Sequence, residues 1–544
     1  MRMASRVTRG TAHWRAGLAV TTAAVMLGAA ACGGSSSGGG SGGGGGGGSD
    51  QTIIWGSTDK PVSYDPAKAY DLPSWNVIYN VYQTLVRVNP DTLKTEPDAA
   101  QSCDKSADFK TWTCVLKDGQ TFSNGDPVTA QDVKYSFDRL IKINDPSGPA
   151  GLLKATGGEG FTVEAKDAKT VVFHLKNANA LWDQVIATGA GAIVDSKVFP
   201  ANKVLADDKI VGSGPYELKS YTPGQTAQFV PNPKYAGDLE LANGGLVIRY
   251  YQDENALKLD VEAGKVDVVY PALSPTALNE LKGKSDVKEV AGPGGAIRYM
   301  VFNLKTMPGD NDAQKRAIRR AAAYLVDRNA IAQDVYQGTV DPLYSMVANG
   351  LDGHLDVYKD EFGDAPDKAK AEQELKDAGV KTPVNIQIWW TPTHYGALSG
   401  DEYTEIKRDL EGSGLFKVDL QSTEWEQYTG NCLADKCQAY QLGWFPDYPD
   451  TDDYVANFYG SASFLNNHYD NPKVDQLLKD EQGSTDANQR TKDFEDIQKD
   501  SVADAPIIPL WQGKQIAITH GTVNGLADTL KPDYIFRFWV LSKS

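Results

Sequence analysis

Residues 122–136 carry the sequence FSNGDPVTAQDVKYS, in which a turn is followed directly by the start of a helix. Ser, Asn, Gly, Asp and Pro occupy positions 123–127, and these residue types favour turns. Thr129 and Asp132 have the spacing of a capping box, in which each side chain bonds a backbone N–H that the new helix leaves unpaired. Apolar residues then recur at helical spacing, at Val133, Phe137 and Leu140. The stretch therefore predicts a tight turn that leads into an amphipathic helix.

Strand and helix patterns continue along the chain on both sides of this helix. Apolar and polar residues alternate at 109–117 and at 170–176, which predicts two strands. Further strands are predicted at 52–55 and 385–389, and further helices at 74–85, at 366–378 and, with Asp312 as the cap, from 313 to about 337. No segment of roughly 20–50 residues repeats, which argues against solenoids and propellers. Mixed strands and helices over this length predict an α/β or α+β protein of two or three lobes.

The first 31 residues have the features of a secretory signal peptide. An arginine-rich start precedes an apolar run at 16–31, which is shorter than the roughly 20 residues of a membrane-spanning helix. Three alanines then precede Cys32, a pattern that resembles the lipobox of bacterial lipoproteins, in which the cysteine becomes the lipidated N-terminus. The alternative is an ordinary signal peptide followed by an unrelated cysteine. Residues 33–49 contain only Gly and Ser, so we interpret 32–50 as the lipidated cysteine and a flexible tether.

The remaining cysteines form two local pairs, Cys103 with Cys114 and Cys432 with Cys437. Disulfides persist in exported proteins, and neither spacing matches the C-x-x-C patterns of zinc or redox sites. We predict two short-loop disulfides, with four buried free thiols as the alternative.

The composition narrows the classes of partner and activity. A formal net charge of −17 argues against a nucleic-acid-binding or anionic-membrane-binding surface. No histidine spacing matches a metal motif, and no nucleophile or phosphate-binding motif occurs in a suitable setting. We therefore expect no cofactor, no metal and no enzymatic activity. A hydrolase that uses two facing carboxylates stays open as an alternative.

Six short motifs, in order along the chain, together indicate one family. They are FSNGDPVTAQDV at 122–133, GSGPY at 212–216, AGKVD at 263–267, YMVFN with RAIRRAAAYLVDR at 299–303 and 316–328, GWFPDYPD at 443–450 and NPKVD at 471–475. In this order they resemble the signature motifs of the extracellular solute-binding proteins of family 5, which serve ABC importers of dipeptides, oligopeptides and nickel. The resemblance covers nearly all of residues 51–544.

The resemblance implies an α/β, periplasmic-binding-protein-like (Venus flytrap) fold of type II, with two main lobes and an inserted smaller lobe. The first lobe is expected to be discontinuous, at 51–86, 205–296 and 507–544. The inserted lobe is expected at 87–204 and the opposing lobe at 297–506, with hinge crossings near 296 and 506. Lobes of this kind close around a ligand.

The resemblance also assigns candidate ligand-binding residues in and around the GWFPDYPD motif. In the family's peptide binders, the aspartate at the position of Asp447 holds the α-ammonium of the ligand, and Tyr448 follows it. Trp444 lies three residues earlier, Trp425 matches a tryptophan that lines the family's pocket, and Trp389 ends a strand nearby in the sequence. Aromatic faces can supply contact area or stack on sugars and cations. Ordinary core packing is the alternative for each tryptophan.

Gln441 departs from the family pattern. Some of the family's oligopeptide binders have an arginine at this position that meets the C-terminal carboxylate of the ligand. A neutral glutamine cannot supply that charge, so the sequence leaves open both the length of the ligand and whether it has a carboxylate.

Together these features predict an extracytoplasmic receptor that captures di- or oligopeptides by hinge closure and delivers them to the permease of an ABC importer. The expected partners are the small solute, the permease subunits and, through lipidated Cys32, the outer face of the cell membrane. We expect a monomer that binds no nucleic acid. The alternatives are an oligosaccharide-binding member of the same family, with nickel or its chelates less favoured, a secreted hydrolase, and a lipoprotein that senses peptide signals.

Cys32→Ala tests the anchoring hypothesis. We expect this variant to be released into the medium or to stay unprocessed, because stable attachment to a membrane needs the acyl chains that the cysteine would carry. Membrane fractionation and immunoblotting measure the outcome, with Ser35→Ala in the tether as the matched control. Membrane association of Cys32→Ala equal to that of the wild type would show that the cysteine is not the anchor.

Overall fold

The computed structural model describes residues 51–544 except Ala272, Thr393 and Ala462. The predicted signal peptide, Cys32 and the Gly/Ser tract therefore lie outside the described residues. Mixed parallel and antiparallel sheets with helices between their strands confirm the α/β class that the sequence predicts.

A seven-stranded sheet organises what we call the first lobe. Its order is Val287–Gly292, Gln515–His520, Val268–Val269, Ile53–Ser57, Leu246–Tyr250, Thr226–Pro231 and Tyr216–Thr222. The N-terminal strand Ile53–Ser57 lies near the middle and pairs in parallel with Val268–Val269 and Leu246–Tyr250. The sheet is therefore assembled from three separate parts of the chain.

A six-stranded sheet organises the second lobe. Its order is Val340–Pro342, Ile507–Gly513, Ile297–Phe302, Ala439–Trp444, Val384–Trp390 and Phe416–Ser422. Ile297–Phe302 pairs antiparallel with a strand on each side, and a β-bulge between Arg298 and Tyr299 interrupts its pairing with Ile507–Gly513.

A four-stranded antiparallel sheet organises the inserted lobe. Its order is Ala100–Lys105, Thr111–Leu116, Thr170–His174 and Thr162–Ala165. Two further strand pairs are short, Val86–Val88 with Thr95–Pro97 and Val523–Asn524 with Ser542–Lys543.

Helices cover the faces of these sheets. The α-helices are Leu72–Val81, Ala130–Ile143, Ala150–Gly157, Trp182–Ile186, Glu254–Glu262, Pro275–Leu281, Asp312–Leu325, Arg328–Ala330, Val357–Phe362, Lys368–Asp377, Ser399–Gly412, Trp425–Leu433, Asp452–Tyr459, Pro472–Gln482, Ala487–Val502 and Leu526–Thr529. A π-helical turn at Ile331–Val335 and 3₁₀ turns at Gly189–Gly191, Asp207–Lys209 and Phe538–Val540 complete the set. No helix in the described part of the chain combines the length and the apolar character needed to cross a membrane.

The hydrophobic cores divide the molecule into two main bodies. One large core contains residues of the first-lobe sheet, such as Ile53, together with residues of the inserted sheet, such as Phe173. The second lobe has its own cores on the two faces of its sheet, and strand Ile297–Phe302 alternates between them. The inserted lobe is thus fused to the first lobe by shared apolar burial, whereas the sheet of the second lobe packs on its own cores and Tyr448 enters the shared one.

A buried ion pair ties the inserted lobe to the first lobe. Arg139, on helix Ala130–Ile143, donates to both carboxylate oxygens of Asp65 at 2.8 and 2.6 Å, and both side chains are inaccessible to solvent. Asp65 also accepts from the backbone N–H groups of Ala67 and Leu205, at 3.0 and 2.7 Å. One carboxylate therefore holds together three distant parts of the chain.

The helix start at residue 129 forms as the sequence predicts. The Thr129 hydroxyl accepts from the Asp132 N–H at 3.3 Å, and the Asp132 carboxylate accepts from the Thr129 N–H at 3.0 Å. The predicted helix from 313 to 337 is wrong in two respects. Its cap is Asn311 rather than Asp312, and the helix ends at Leu325. Asp327 then caps a new helical segment by accepting from Ala330 N–H, which replaces the helix hydrogen bonds that would otherwise continue.

The second crossing between the two lobes lies later in the chain than the expected position near 506. Ile507–Gly513 pairs with Ile297–Phe302 and belongs to the second-lobe sheet, and the chain enters the first-lobe sheet at Gln515. Ile507, Ile508 and Leu510 are fully buried in the second-lobe cores, so burial on both faces keeps this strand in the second sheet.

Both predicted disulfides are present. Cys103–Cys114 joins neighbouring strands of the inserted sheet, and Cys432–Cys437 joins the end of helix Trp425–Leu433 to the segment just before strand Ala439–Trp444.

Asp65→Asn should destabilise the protein by about 3–5 kcal/mol, because it leaves the buried Arg139 guanidinium without its counter-ion. Urea denaturation measures the change. The matched control is Asp118→Asn, whose ion pair with Lys169 is exposed and should contribute no more than about 1 kcal/mol. Equal stability of the two variants would show that the buried pair does not join the lobes.

Candidate binding site

Asp447 lies in the loop that follows strand Ala439–Trp444, and Asp453 holds this loop in place. The Trp444 indole N–H and the Asp447 backbone N–H both donate to Oδ2 of Asp453, each at 2.9 Å. Asp453 is in the first turn of helix Asp452–Tyr459. The end of the strand and the start of the helix are thus clamped together, which fixes the position of Asp447 between them.

The Asp447 carboxylate contacts the other main body of the molecule. The Tyr70 hydroxyl, which belongs to the first lobe, donates to both carboxylate oxygens at 2.8 Å. Tyr70 is 41% exposed and packs its ring against Trp75, with centroids 5.5 Å apart. Because the two lobes have separate cores, this polar contact between them can be exchanged for contacts to a ligand.

Burial raises the pKa of both carboxyls at this site, those of Asp447 and Asp453. Burial raises the pKa of Asp447 to about 7, and the Tyr70 hydrogen bond opposes that shift. Burial, followed by the charge of Asp447, raises the pKa of Asp453 as well. A positively charged group bound beside this pair favours the ionised form of its carboxyls. The arrangement can therefore bind a cationic group such as an ammonium through charge-assisted hydrogen bonds.

Trp444 and Trp425 both pack against the same second-lobe core, but their rings have covered faces. Trp444 stacks on Phe464 with centroids 5.5 Å apart. Trp425 stacks on His394 at 3.8 Å, and Tyr395 meets it edge-on at 5.4 Å. Burial, and then the charge of Arg298, lowers the pKa of His394 to about 4, so the stacked imidazole is neutral at pH 7.

The other predicted residues make their polar contacts within the protein. Trp389 is half-buried and its indole N–H donates to Gln387 at 2.7 Å. Tyr448 is buried in the core that the first and inserted lobes share, and its hydroxyl donates to Asp452 at 2.8 Å. Gln441 is fully buried and its amide bonds Ser399 at 3.2 Å. The structure thus brings Asp447 together with Trp444, while Tyr448 and Gln441 face protein interior.

Sequence reasoning missed Tyr70, Asp453 and Arg298. Tyr70 is 377 positions from Asp447 in the chain, and no local pattern indicates the contact. Asp453 lies three residues after the recognised motif and could have been considered with it. Arg298 had a detectable signal, since it is the charged residue of the apolar strand Ile297–Phe302. Among the described residues, no three His, Cys, Asp or Glu side chains are grouped so that they could hold a metal ion.

Comparison with known proteins identifies one family. The sequence model of the bacterial extracellular solute-binding proteins, family 5 Middle, matches residues 94–466. The chain is 27% identical over 515 residues to the probable D,D-dipeptide-binding periplasmic protein DdpA of Escherichia coli, which covers 90% of this chain and 94% of that protein. It is 25% identical over 496 residues to the dipeptide-binding protein DppE of Bacillus subtilis, covering 88% and 89%.

Solved structures have the same fold. The crystal structure of the ABC transporter substrate-binding protein CtaP from Listeria monocytogenes superimposes with a TM-score of 0.78 at 22% identity, covering 91% of this chain and 99% of that chain. The likeness confirms the expected type II fold at the level of architecture.

The raised pKa values predict a characteristic dependence of stability on pH. Between about pH 4 and 7 the folded carboxyl pair binds more protons than the unfolded chain, so its contribution to stability decreases as the pH rises. We expect the free energy of unfolding of the wild type to decrease by roughly 2 kcal/mol more than that of Asp453→Asn between pH 5 and 8. The asparagine oxygen keeps both hydrogen bonds but carries no charge.

Urea denaturation at the two pH values measures this difference, with the exposed Asp310→Asn as the control that should follow the wild type. Parallel behaviour of all three proteins would show that the carboxyl pair is not protonated at neutral pH.

Proposed function

The chain belongs to the family 5 extracellular solute-binding proteins, and from this membership we propose that it captures short peptides outside the cytoplasmic membrane and delivers them to the permease of an ABC importer. The observation that carries the proposal is the Asp447 carboxylate, which lies between the two main bodies and bonds Tyr70 across them. The names of the two relatives describe dipeptide binding, which supports a peptide as the solute.

The α-ammonium of a peptide fits the Asp447 and Asp453 pair. An ammonium has three N–H donors and can bond both oxygens of Asp447, in place of or beside the Tyr70 hydroxyl. Its charge favours the ionised form of a carboxyl whose pKa burial raises. Ligand binding and release of a proton from the pair are therefore coupled.

The aromatic residues favour a peptide over an oligosaccharide. Sugar binding through stacking needs an open ring face. His394, Tyr395 and Tyr428 pack around the Trp425 ring, and Phe464 and Phe458 pack on the Trp444 ring. The loop presents the Asp447 carboxylate to a ligand, and a carboxylate accepts charge-assisted hydrogen bonds from an ammonium group.

We propose that closure occurs about the two places where the chain passes between the sheets. These are residues 293–296, between Val287–Gly292 and Ile297–Phe302, and Lys514, between Ile507–Gly513 and Gln515–His520. A ligand that contacts both lobes binds the closed form better and so increases its population. The lobe boundaries are those of the sequence-based proposal, except that 507–513 is assigned to the second lobe.

Three further parts of the proposal follow from the sequence. Lipidated Cys32 and the Gly/Ser tether attach the body to the outer face of the cell membrane. The protein acts as a monomeric receptor that hands its ligand to the permease subunits. It binds peptides without turnover, so mass spectrometry should recover a bound peptide intact after prolonged incubation.

Asp447→Asn should weaken peptide binding by about 2–4 kcal/mol, or roughly 30- to 1,000-fold, because a neutral amide replaces the charged partner of the ammonium. Calorimetry with alanine peptides of two to five residues measures the affinity. N-acetylation of the peptide should weaken its binding to the wild type by a similar free energy. It should weaken binding to Asp447→Asn much less, because both changes remove the same interaction.

Asp310→Asn, the same substitution at an exposed position of the second lobe, should leave the affinity unchanged. If Asp447→Asn binds the unmodified peptides as tightly as the wild type does, amine capture by Asp447 is excluded and the membership of the family alone remains.

A further inference from the structure

Arg298 is a buried cation that the proposed function does not yet use. Only 6% of its surface is accessible, and it lies in a strand whose six residues are all buried. One guanidinium N–H donates to the Ile297 carbonyl at 3.1 Å, while the Nε–H has no partner among the described residues. Within the described part of the chain, no carboxylate lies within 4.0 Å of the guanidinium. A buried guanidinium of this kind has donors to offer to an anionic group.

Aromatic rings hold the guanidinium by its faces. Its central carbon lies 4.4 Å from the ring centre of Tyr395, 5.1 Å from that of Trp511 and 5.4 Å from that of Phe445. Such cation–π contacts orient the planar group and leave its N–H edges available. Those edges match the two oxygens of a carboxylate.

The sheet register makes room for this side chain. Arg298 pairs with Gly443 on one neighbouring strand and with Trp511 on the other. An added Cβ at Gly443 would overlap the Nη1 atom of Arg298. The glycine before Trp444 therefore allows the guanidinium to lie across the strand that leads to Asp447.

Glu402 is the buried carboxyl whose pKa responds to Arg298, but it is bonded elsewhere. Its Oε2 accepts from the Tyr336 hydroxyl and from the Trp511 indole N–H, each at 2.7 Å. Burial raises the pKa of Glu402 and the charge of Arg298 opposes this shift. Glu402 thus has a raised pKa and makes no direct ion pair with Arg298.

Arg298 also lies within reach of a ligand bound at Asp447. Gly443, the strand partner of Arg298, precedes Asp447 by four residues. The Cα atoms of Gly443 and Asp447 are therefore at most about 14 Å apart. Between them, the 48% exposed Phe445 contacts Arg298 and lies 6.1 Å from the first-lobe ring of Tyr534. An extended peptide of roughly two to four residues spans this distance.

We infer that Arg298 binds the carboxylate of a short zwitterionic ligand whose ammonium is held by Asp447, and so supplies the positive charge that neutral Gln441 lacks. The inference rests on the proposed function and adds to it a required anionic end. It assigns di-, tri- or tetrapeptides with free C-termini as the ligand class.

The test compares alanine peptides of two to five residues with their C-terminal amides by calorimetry. The wild type should bind the acid at least about tenfold more tightly than the amide for the best-bound length. Arg298→Gln should reduce this preference to threefold or less. Gly443→Ala keeps the charge but displaces the guanidinium, so it should also reduce the preference. Arg316→Gln, at a position where the arginine side chain is 56% exposed, is the matched control and should behave as the wild type.

The binding results separate failure of the Arg298 inference from failure of the proposed function. Equal affinity of the wild type for acids and amides overturns the inference without any variant, and so does a preference that survives in Arg298→Gln. If Arg298→Gln does not fold, the wild-type comparison and Gly443→Ala decide the question. Failure of the wild type to bind any of the unmodified peptides would instead overturn the proposed function.

Discussion

The pairing of strand Ile297–Phe302 with a neighbour on each side is the constraint on which the site depends. All six of its residues are buried, and alternate side chains enter the two cores of the second lobe. A shift of the register by one residue would exchange the two faces and expose apolar side chains, so the register is strongly fixed. The same register sets Arg298 opposite Gly443 and Ile297 opposite Trp444. The position of the loop that carries Asp447 follows from it.

The division of apolar burial explains how such a site can open and close. The first and inserted lobes share one core and are further joined by the buried Asp65–Arg139 pair, so they behave as one body. The second lobe has its own cores on the two faces of its sheet. Movement between the two bodies therefore exchanges the contact of Tyr70 with Asp447 and shifts the buried ring of Tyr448, while the cores of the second-lobe sheet stay intact. A ligand can shift this equilibrium only by its difference in affinity for the two states, and a ligand that bonds both bodies provides that difference.

Tyr448 adds a fixed element to this picture. It follows Asp447 directly, yet its ring is buried in the core of the first and inserted lobes. The loop from the second lobe thus carries, on adjacent residues, a carboxylate that a ligand can reach and an aromatic ring inserted into the opposite body. The apolar burial of Tyr448 and the hydrogen bond between Tyr70 and Asp447 together join this loop to the opposite body.

Local rules in the sequence predict the local structure well. The capping box at Thr129 and Asp132 forms because both partners lie within one turn, and both disulfides form between cysteines that are close in sequence. The family motif directs attention to Asp447 and Trp444. The contacts of the site depend on register and on the docking of distant segments, which no local pattern specifies. Tyr70 reaches Asp447 across 377 positions, and Arg298 gains its place from the glycine on the next strand. Helix Asp312–Leu325 ends early because Asp327 caps a new segment, a competition that apolar spacing does not show.

A crystal structure of the complex with trialanine would show how the ligand is held. We expect the peptide between the two main bodies, with its α-ammonium nitrogen about 2.7–3.2 Å from a carboxylate oxygen of Asp447. A peptide bound with its ammonium away from Asp447, or bound outside the space between the lobes, would contradict this expectation.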